Sequence, residues 1–223
     1  MSDFSKKQGR FTSVLFALSL FFFIITFSIG LPIYCRPFYY AHIDLLNLPE
    51  KSGFTAEQIK QSYDAVLNYL TLPNKDFSVG DMAYSPSGAS HFADCKILFD
   101  LNISVLILSA LCLIILSVLR KKGKIKDFRI GRKPASFYAA ITAIHLPIIV
   151  GVLASLDFDK AFAVFHDIFF GGKKNWLFNP NTDEIIRILP QQFFINSAIL
   201  IGTSILLLSL IILIVNNKKH KAY

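Results

Sequence analysis

The chain has 223 residues, 53% of them hydrophobic and only 17% charged, which argues against a pair of water-soluble domains. Its formal net charge of +8 would suit a nucleic-acid partner. No nucleic-acid motif accompanies that charge, and its placement has a simpler cause, so no nucleic-acid binding is expected.

Four uncharged stretches set the class: 11–35, 101–119, 135–156 and 188–217. A bilayer core of about 30 Å takes ~20 helical residues, and each stretch reaches that length alone or with a flanking residue or two. In lipid the backbone must satisfy its own hydrogen bonds, so all four are expected as helices. The expectation is an all-α membrane protein forming a single integral domain over 1–223. Its transmembrane helices fall at about 11–35, 97–119, 135–156 and 191–216, and two extracytoplasmic loops, 36–96 and 157–190, form a small cap. Fourteen of the 23 Lys and Arg residues lie in 1–10, 120–133 and 218–221. By the positive-inside rule both termini and the 120–134 loop are then cytoplasmic, and the same basic segments suit contact with anionic lipid.

The first span is too long for a signal-peptide core, and no small-residue cleavage site closes it, so it is read as a permanent helix. Gly30 and Pro32 are expected to loosen its end. In the first loop, Thr55 and Gln58 form a capping box, with Phe54 and Ile59 placed for a hydrophobic staple. Ile59, Tyr63, Val66, Leu67 and Leu70 follow at helical spacing, and Leu72-Pro73-Asn74 ends that helix. In the second span Asn102 and Cys112 are read as packing groups, as are Gly202, Thr203 and Ser204 in the fourth. The cytoplasmic loop is a plain basic hairpin.

The stretch 166–194 is dense in groups that bulk lipid would not tolerate. It holds His166 with Asp167, a Gly-Gly turn, the only Trp, an acidic pair at Asp183 and Glu184, and Arg187. It reads as one wall of a site at a membrane surface. His91, just before the second span, is placed like His166. An imidazole with an ordinary pKa near 6.5 trades protons at neutral pH, and two in one site can divide acid and base work. Asp94, three residues on from His91, shares its helical face and is placed to orient it. Two unrelated surface histidines are the alternative. A Zn²⁺ site made of both histidines and both aspartates is a second alternative, although no HExxH or paired CxxC is present. Cys95 is open to three readings: nucleophile, disulfide partner of Cys35, or packing residue. Trp176, with Phe169, Phe170 and Phe178, suits a belt at headgroup depth. Arg187 reads as a snorkelling anchor or as a partner for Asp183 or for a polar lipid head. His145 lies inside the third span and is read as a neutral packing residue beside Pro147. His42 and His220 are read as solvated loop residues.

Several motifs carry a resemblance: FHDIFF at 165–170, NWLFNP at 175–180, TDEIIR at 182–187, LPQQF at 189–193, SHFADCK at 90–96, and Tyr63 with Tyr69 and Leu70. Together they resemble the lipoprotein intramolecular transacylase (Lit) family, four-span integral membrane proteins of Gram-positive bacteria. The resemblance covers essentially the whole chain. One departure is Cys95, where an aliphatic residue such as Val is expected. The resemblance implies transfer of an acyl chain from the sn-2 ester of a diacylglyceryl-cysteine lipoprotein to that cysteine's own α-amino group, giving the lyso form. It implies His91 and His166 as the catalytic pair. Asp94, Asp167, Tyr63, Trp176, Asp183 and Arg187 are expected in support, with no metal or other cofactor expected. The working hypothesis makes His166 the base toward the amine and a charged His91 the proton source; the reverse stays open. Expected partners are diacylated bacterial lipoproteins as substrate and membrane lipid, with the enzyme a monomer in the bacterial cell membrane. A non-enzymatic membrane scaffold and a metal-dependent hydrolase are the readings from other classes.

Overall fold

The computed structural model describes residues 3–73, 75–125 and 128–221, with side chains from residue 9 to 217 within them. Eight α-helices appear among these residues: α1 (Asp3–Tyr34), α2 (Arg36–Leu45), α3 (Leu48–Ser52), α4 (Ala56–Thr71), α5 (Pro86–Lys121), α6 (Ala135–Leu156), α7 (Phe158–Phe170) and α8 (Gln191–Lys221). A 3-10 turn covers Glu184–Arg187, and β1 (Arg129–Ile130) pairs antiparallel with β2 (Lys133–Pro134). Four helices are long and apolar enough to cross a membrane: Gly9–Tyr34, Pro86–Lys121, Ala135–Leu156 and Gln191–Asn217.

The first two spanning helices are longer than the apolar runs that announce them, and the third coincides with its run. The first continues through Pro32 to Tyr34. The second begins at Pro86, so His91 lies on its second turn and not ahead of it. At 1.5 Å per residue, 36 residues reach roughly 54 Å, well beyond a hydrocarbon core. The polar start of α5, with Asp94, Lys96 and Asp100, therefore extends beyond its uncharged run.

The chain groups into two compact units. The first comprises 1–29, 103–152 and 201–223. Its buried apolar contacts are mostly small or aliphatic, with Ala135, Ala139, Ala140 and Ala143 on α6 beside Ile24, Leu116 and Ile205; Phe128 is a buried aromatic among them. Gly202 faces Pro147, and Phe16 stacks on Phe128 at 4.2 Å. Side chains such as Ile107, Leu108, Ile148 and Leu210 are exposed, as expected of faces solvated by lipid.

The second unit comprises 30–102 and 153–200. It has one aromatic-rich core, built on Tyr39, Ile59, Tyr63, Val79, Phe92, Ile185, Ile188 and Phe193. The capping box opens α4 as expected: Gln58 N–H donates to Thr55 Oγ1 at 3.2 Å, and Thr55 N–H donates to Gln58 Oε1 at 2.9 Å. The helix's apolar face places Ile59, Tyr63, Val66, Leu67 and Leu70 in this core. Tyr39 and Tyr63 stack at 3.6 Å, and the Tyr39 hydroxyl donates to the carbonyl of Ile188 at 2.8 Å.

His42 corrects the expectation of a solvated loop residue. Pro37 lies in the first turn of α2, and the i, i+3, i+4 set Tyr39, His42 and Ile43 forms that helix's buried face. His42 Nδ1–H donates to Phe38 O at 2.7 Å, and Nε2 accepts from Asn196 at 2.9 Å. His145 bonds the carbonyl of Ile141 one turn back, at 2.7 Å. The side chain of His220 lies outside the described residues. Cys35, Cys95 and Cys112 are free thiols.

Candidate active site

Both site histidines belong to the second unit and are placed by two helices. His91 sits near the start of α5, whose N-terminal turn is tied down by Asp183. Ser85 donates to Asp183 Oδ1 from both its N–H and its hydroxyl, each at 2.8 Å. Thr182 donates to the other carboxylate oxygen at 2.9 Å. Burial alone would raise the pKa of Asp183, but these bonds outweigh it and hold the carboxyl below the usual value. Next along the chain, Glu184 N–H donates to Ala83 O at 3.0 Å and Glu184 Oε2 accepts from Ala83 N–H at 2.9 Å. Gly88 lies against Asp183 so closely that a Cβ would run into the carboxylate oxygen.

His166 sits on α7. Asp157 caps this helix, accepting from Lys160 N–H at 2.9 Å, and Gly171 ends it at φ +62°, where glycine carries no steric cost. One turn back, the Phe162 carbonyl accepts from His166 Nδ1–H at 2.7 Å. That bond fixes the tautomer and leaves the Nε2 lone pair available. Burial lowers the pKa of His166, against the opposing pull of the Phe162 carbonyl and of Asp167.

The two rings meet. Their centroids lie 5.7 Å apart, each residue is 6% exposed, and they are framed by aromatic rings. Phe170 packs edge-on to His91 at 4.9 Å and Phe178 at 5.5 Å. Trp176 stacks on His166 at 4.4 Å, and Phe162 lies 4.2 Å from the same ring. Around this aromatic frame lies a polar rim. Asp94 pairs with Lys173 at 2.7 Å and accepts from Asn175 Nδ2 at 3.0 Å. Asp167 pairs with Lys174 at 2.9 Å. Cys95 Sγ lies 3.4 Å from His91 Nε2.

The supporting residues divide accordingly. Trp176 and Asp94 are at the site, and Asp167 is at its rim. Asp183 anchors the helix that carries His91. Tyr63 is a core residue, and burial raises its pKa. Arg187 donates to Pro180 O at 3.0 Å and lies 3.7 Å from Glu184, so it braces the 180–187 loop and does not pair with Asp183. Asp94 bonds Asn175 and Lys173, and its charge favours a protonated His91 from nearby. Asn175 is a residue that spacing does not single out. Its one sequence signal is membership of the NWLFNP motif. Among the described residues, no three His, Cys, Asp or Glu side chains are grouped to hold a metal ion.

The sequence profile of the lipoprotein intramolecular transacylase Lit matches residues 14–194. The chain belongs to the Lit family. It is similar to the solved structure of the membrane-integral lipoprotein intramolecular transacylase Lit from Bacillus cereus, with a TM-score of 0.85 and 26% identity over 98% of this chain and 100% of that one. Structures of two Lit variants from Bacillus cereus, in which a histidine is replaced by arginine or by alanine, match with a TM-score of 0.79 and 25% identity. They cover 99% of this chain and 97% and 98% of theirs. Compared by sequence alone, no curated protein matches significantly. Membership of Lit makes the protein an all-α, multi-pass membrane acyltransferase that acts on lipoproteins.

Proposed function

We propose that the enzyme moves an acyl chain from the sn-2 ester of a diacylglyceryl-cysteine lipoprotein to the cysteine α-amino group, using His91 and His166 as a proton-handling pair. The observation that supports this is the 5.7 Å approach of two buried imidazoles inside an aromatic frame with a polar rim. Such surroundings suit a substrate whose acyl chains are apolar and whose amino terminus is charged. Amine and ester belong to one molecule, so the chemistry needs no protein nucleophile. Holding the two together itself lowers the barrier by several kcal/mol.

The proton balance calls for two acceptors. An ammonium that becomes an amide N–H loses two protons; one goes to the departing sn-2 alkoxide and one to solvent. His166, with its Nε2 lone pair available, takes the first proton from the ammonium. The amine then attacks the ester carbonyl carbon, the new C–N bond forms, and His91 takes the second proton from the tetrahedral nitrogen. His91, now cationic, delivers that proton to the alkoxide as the C–O bond breaks. No cofactor takes part, and the enzyme works as a monomer with its cap among lipid headgroups. The proposed orientation puts both termini and the 120–134 loop in the cytoplasm and the histidines on the outer face; the clustering of Lys and Arg in those segments supports it.

The test is the purified protein with a synthetic diacylated lipopeptide, with and without chelator, read by mass spectrometry. His91→Ala and His166→Ala are each expected to lose lyso-form product by about 100-fold or more while still inserting into membrane. Cys95→Ala and chelator treatment are expected to leave product intact. Full activity in both histidine variants would overturn the pair. A dead Cys95→Ala would replace it with a thioester route, and loss on chelation with a metal site.

A further inference from the structure

Three polar atoms are buried among the aromatics of the site without a hydrogen-bond partner: His91 Nδ1, Asn175 Oδ1 and Trp176 Nε1. The first two complement each other, because a ring N–H is a donor and an amide oxygen an acceptor. The Asn175 side chain is also a hydrogen-bonding neighbour of the His91 ring, although neither atom completes a bond of normal geometry. The orientation of the Asn175 amide is not arbitrary. Its Nδ2 donates to Asp94 Oδ2 at 3.0 Å, with Ser90 Oγ at 3.4 Å. A carboxylate accepts only, so the amide nitrogen must face Asp94 and the oxygen must face away. Asp94 is held in turn by Lys173 at 2.7 Å.

The other edge of the ring agrees. Cys95 Sγ lies 3.4 Å from Nε2, in contact with the lone pair that remains when Nδ1 carries the proton. A thiol is a weak donor, so it can occupy that lone pair and still yield it to substrate. Nδ1 is shut away from solvent, so its proton is not the one exchanged with substrate. The chemistry of His91 must then pass through Nε2.

The geometry points to Asn175 as a positioning residue: through an Asp94–Asn175–His91 relay it holds His91 in the Nδ1–H tautomer and leaves Nε2 to accept the second proton of the transfer. When His91 becomes cationic, the oriented amide oxygen steadies the imidazolium and passes on the charge of Asp94. The ring's other neighbours do not set this tautomer. His166, Phe170 and Phe178 present ring faces or edges to it.

This inference rests on the two-histidine reading, so its test runs both arms side by side. Full-length protein with ¹⁵N-labelled histidine gives the tautomer of His91 by NMR, assigned against His91→Ala, and the lipopeptide assay gives kcat and KM. Asn175→Ala is expected to lower kcat by about tenfold or more with KM little changed, and to leave His91 a mixture of tautomers. Asn175→Asp, which keeps an acceptor, is expected to retain the Nδ1–H signature and recover part of kcat. Asp94→Asn is isosteric and offers Asn175 a donor. The Asn175 amide then turns over, and the ring proton is expected to move to Nε2, a change that a purely structural role would not produce. Wild-type kcat in Asn175→Ala, or an unmoved ring proton in Asp94→Asn, overturns the relay while a dead His91→Ala leaves the pair intact. An active His91→Ala removes both.

Discussion

In the first unit most of the buried apolar contacts are made by small or aliphatic residues such as Ala135, Ala139, Ala140, Ala143, Ile24 and Ile205, with Phe128 a buried aromatic among them. In the second they are made by Tyr39, Tyr63, Phe92, Phe193 and their neighbours, crossed by polar bonds between distant segments. Lipid is as apolar as leucine, so helices within it gain little from hydrophobic burial and depend on close fit. The second unit buries aromatic side chains, and hydrogen bonds of Ala83 and Ser85 with Asp183 and Glu184 join two distant segments of it. A packing change in the first unit should therefore be absorbed, whereas loss of the anchor at Asp183, which holds the start of the helix carrying His91, should be felt at the histidines.

Two glycines test this contrast most sharply. A Cβ at Gly88 would run into Asp183 and press on Phe178. Gly88→Ala is expected to cost about 1–3 kcal/mol, as overpacking does, and to move His91 enough to abolish most activity. Thermal unfolding and lipopeptide turnover measure the two effects, and wild-type values for both would refute the rigid anchor. A smaller effect comes from pH. The native pKa of His166 is lowered from 6.5 by burial, so the folded state takes up a proton less readily than the unfolded chain. Stability is then full above 6.5 and falls as pH drops through that value toward the lowered one. If His166 is the base, activity falls at still lower pH, as the solution passes through its lowered native pKa. A pH–rate profile whose acid limb lies above 6.5 would contradict this. Tyr39→Phe removes only the bond to Ile188 O and should cost about 1 kcal/mol with kcat kept. The smallest effect is expected in the first unit. A Cβ at Gly202 would meet Pro147 Cβ at an ordinary 3.5 Å. Gly202→Ala should leave stability within about 0.5 kcal/mol and activity unchanged. A large loss there would end the contrast.

The sequence carried the spans because charge is expensive in lipid, and it carried α4 because a capping box and a helical apolar face are local signals. It did not carry α2 or the burial of His42, whose ring meets Asn196 of the fourth span's helix. The histidine pair was suggested by placement and by family likeness. Their meeting depends on how α5 and α7 pack, which no local pattern encodes. Asn175 was hidden for the same reason: its partner Asp94 lies 81 positions away along the chain. Asp183 looked like a site carboxylate, and only its bonds to Ser85 reveal it as an anchor.

The stack of Trp176 on His166 has a practical consequence. Trp176 is the chain's single tryptophan, so all indole emission comes from one ring lying 4.4 Å from the His166 imidazole. An imidazolium quenches a neighbouring indole far more than a neutral imidazole does. The protein therefore carries its own unlabelled fluorophore, whose brightness should follow the protonation of His166 in real time as substrate arrives and product leaves.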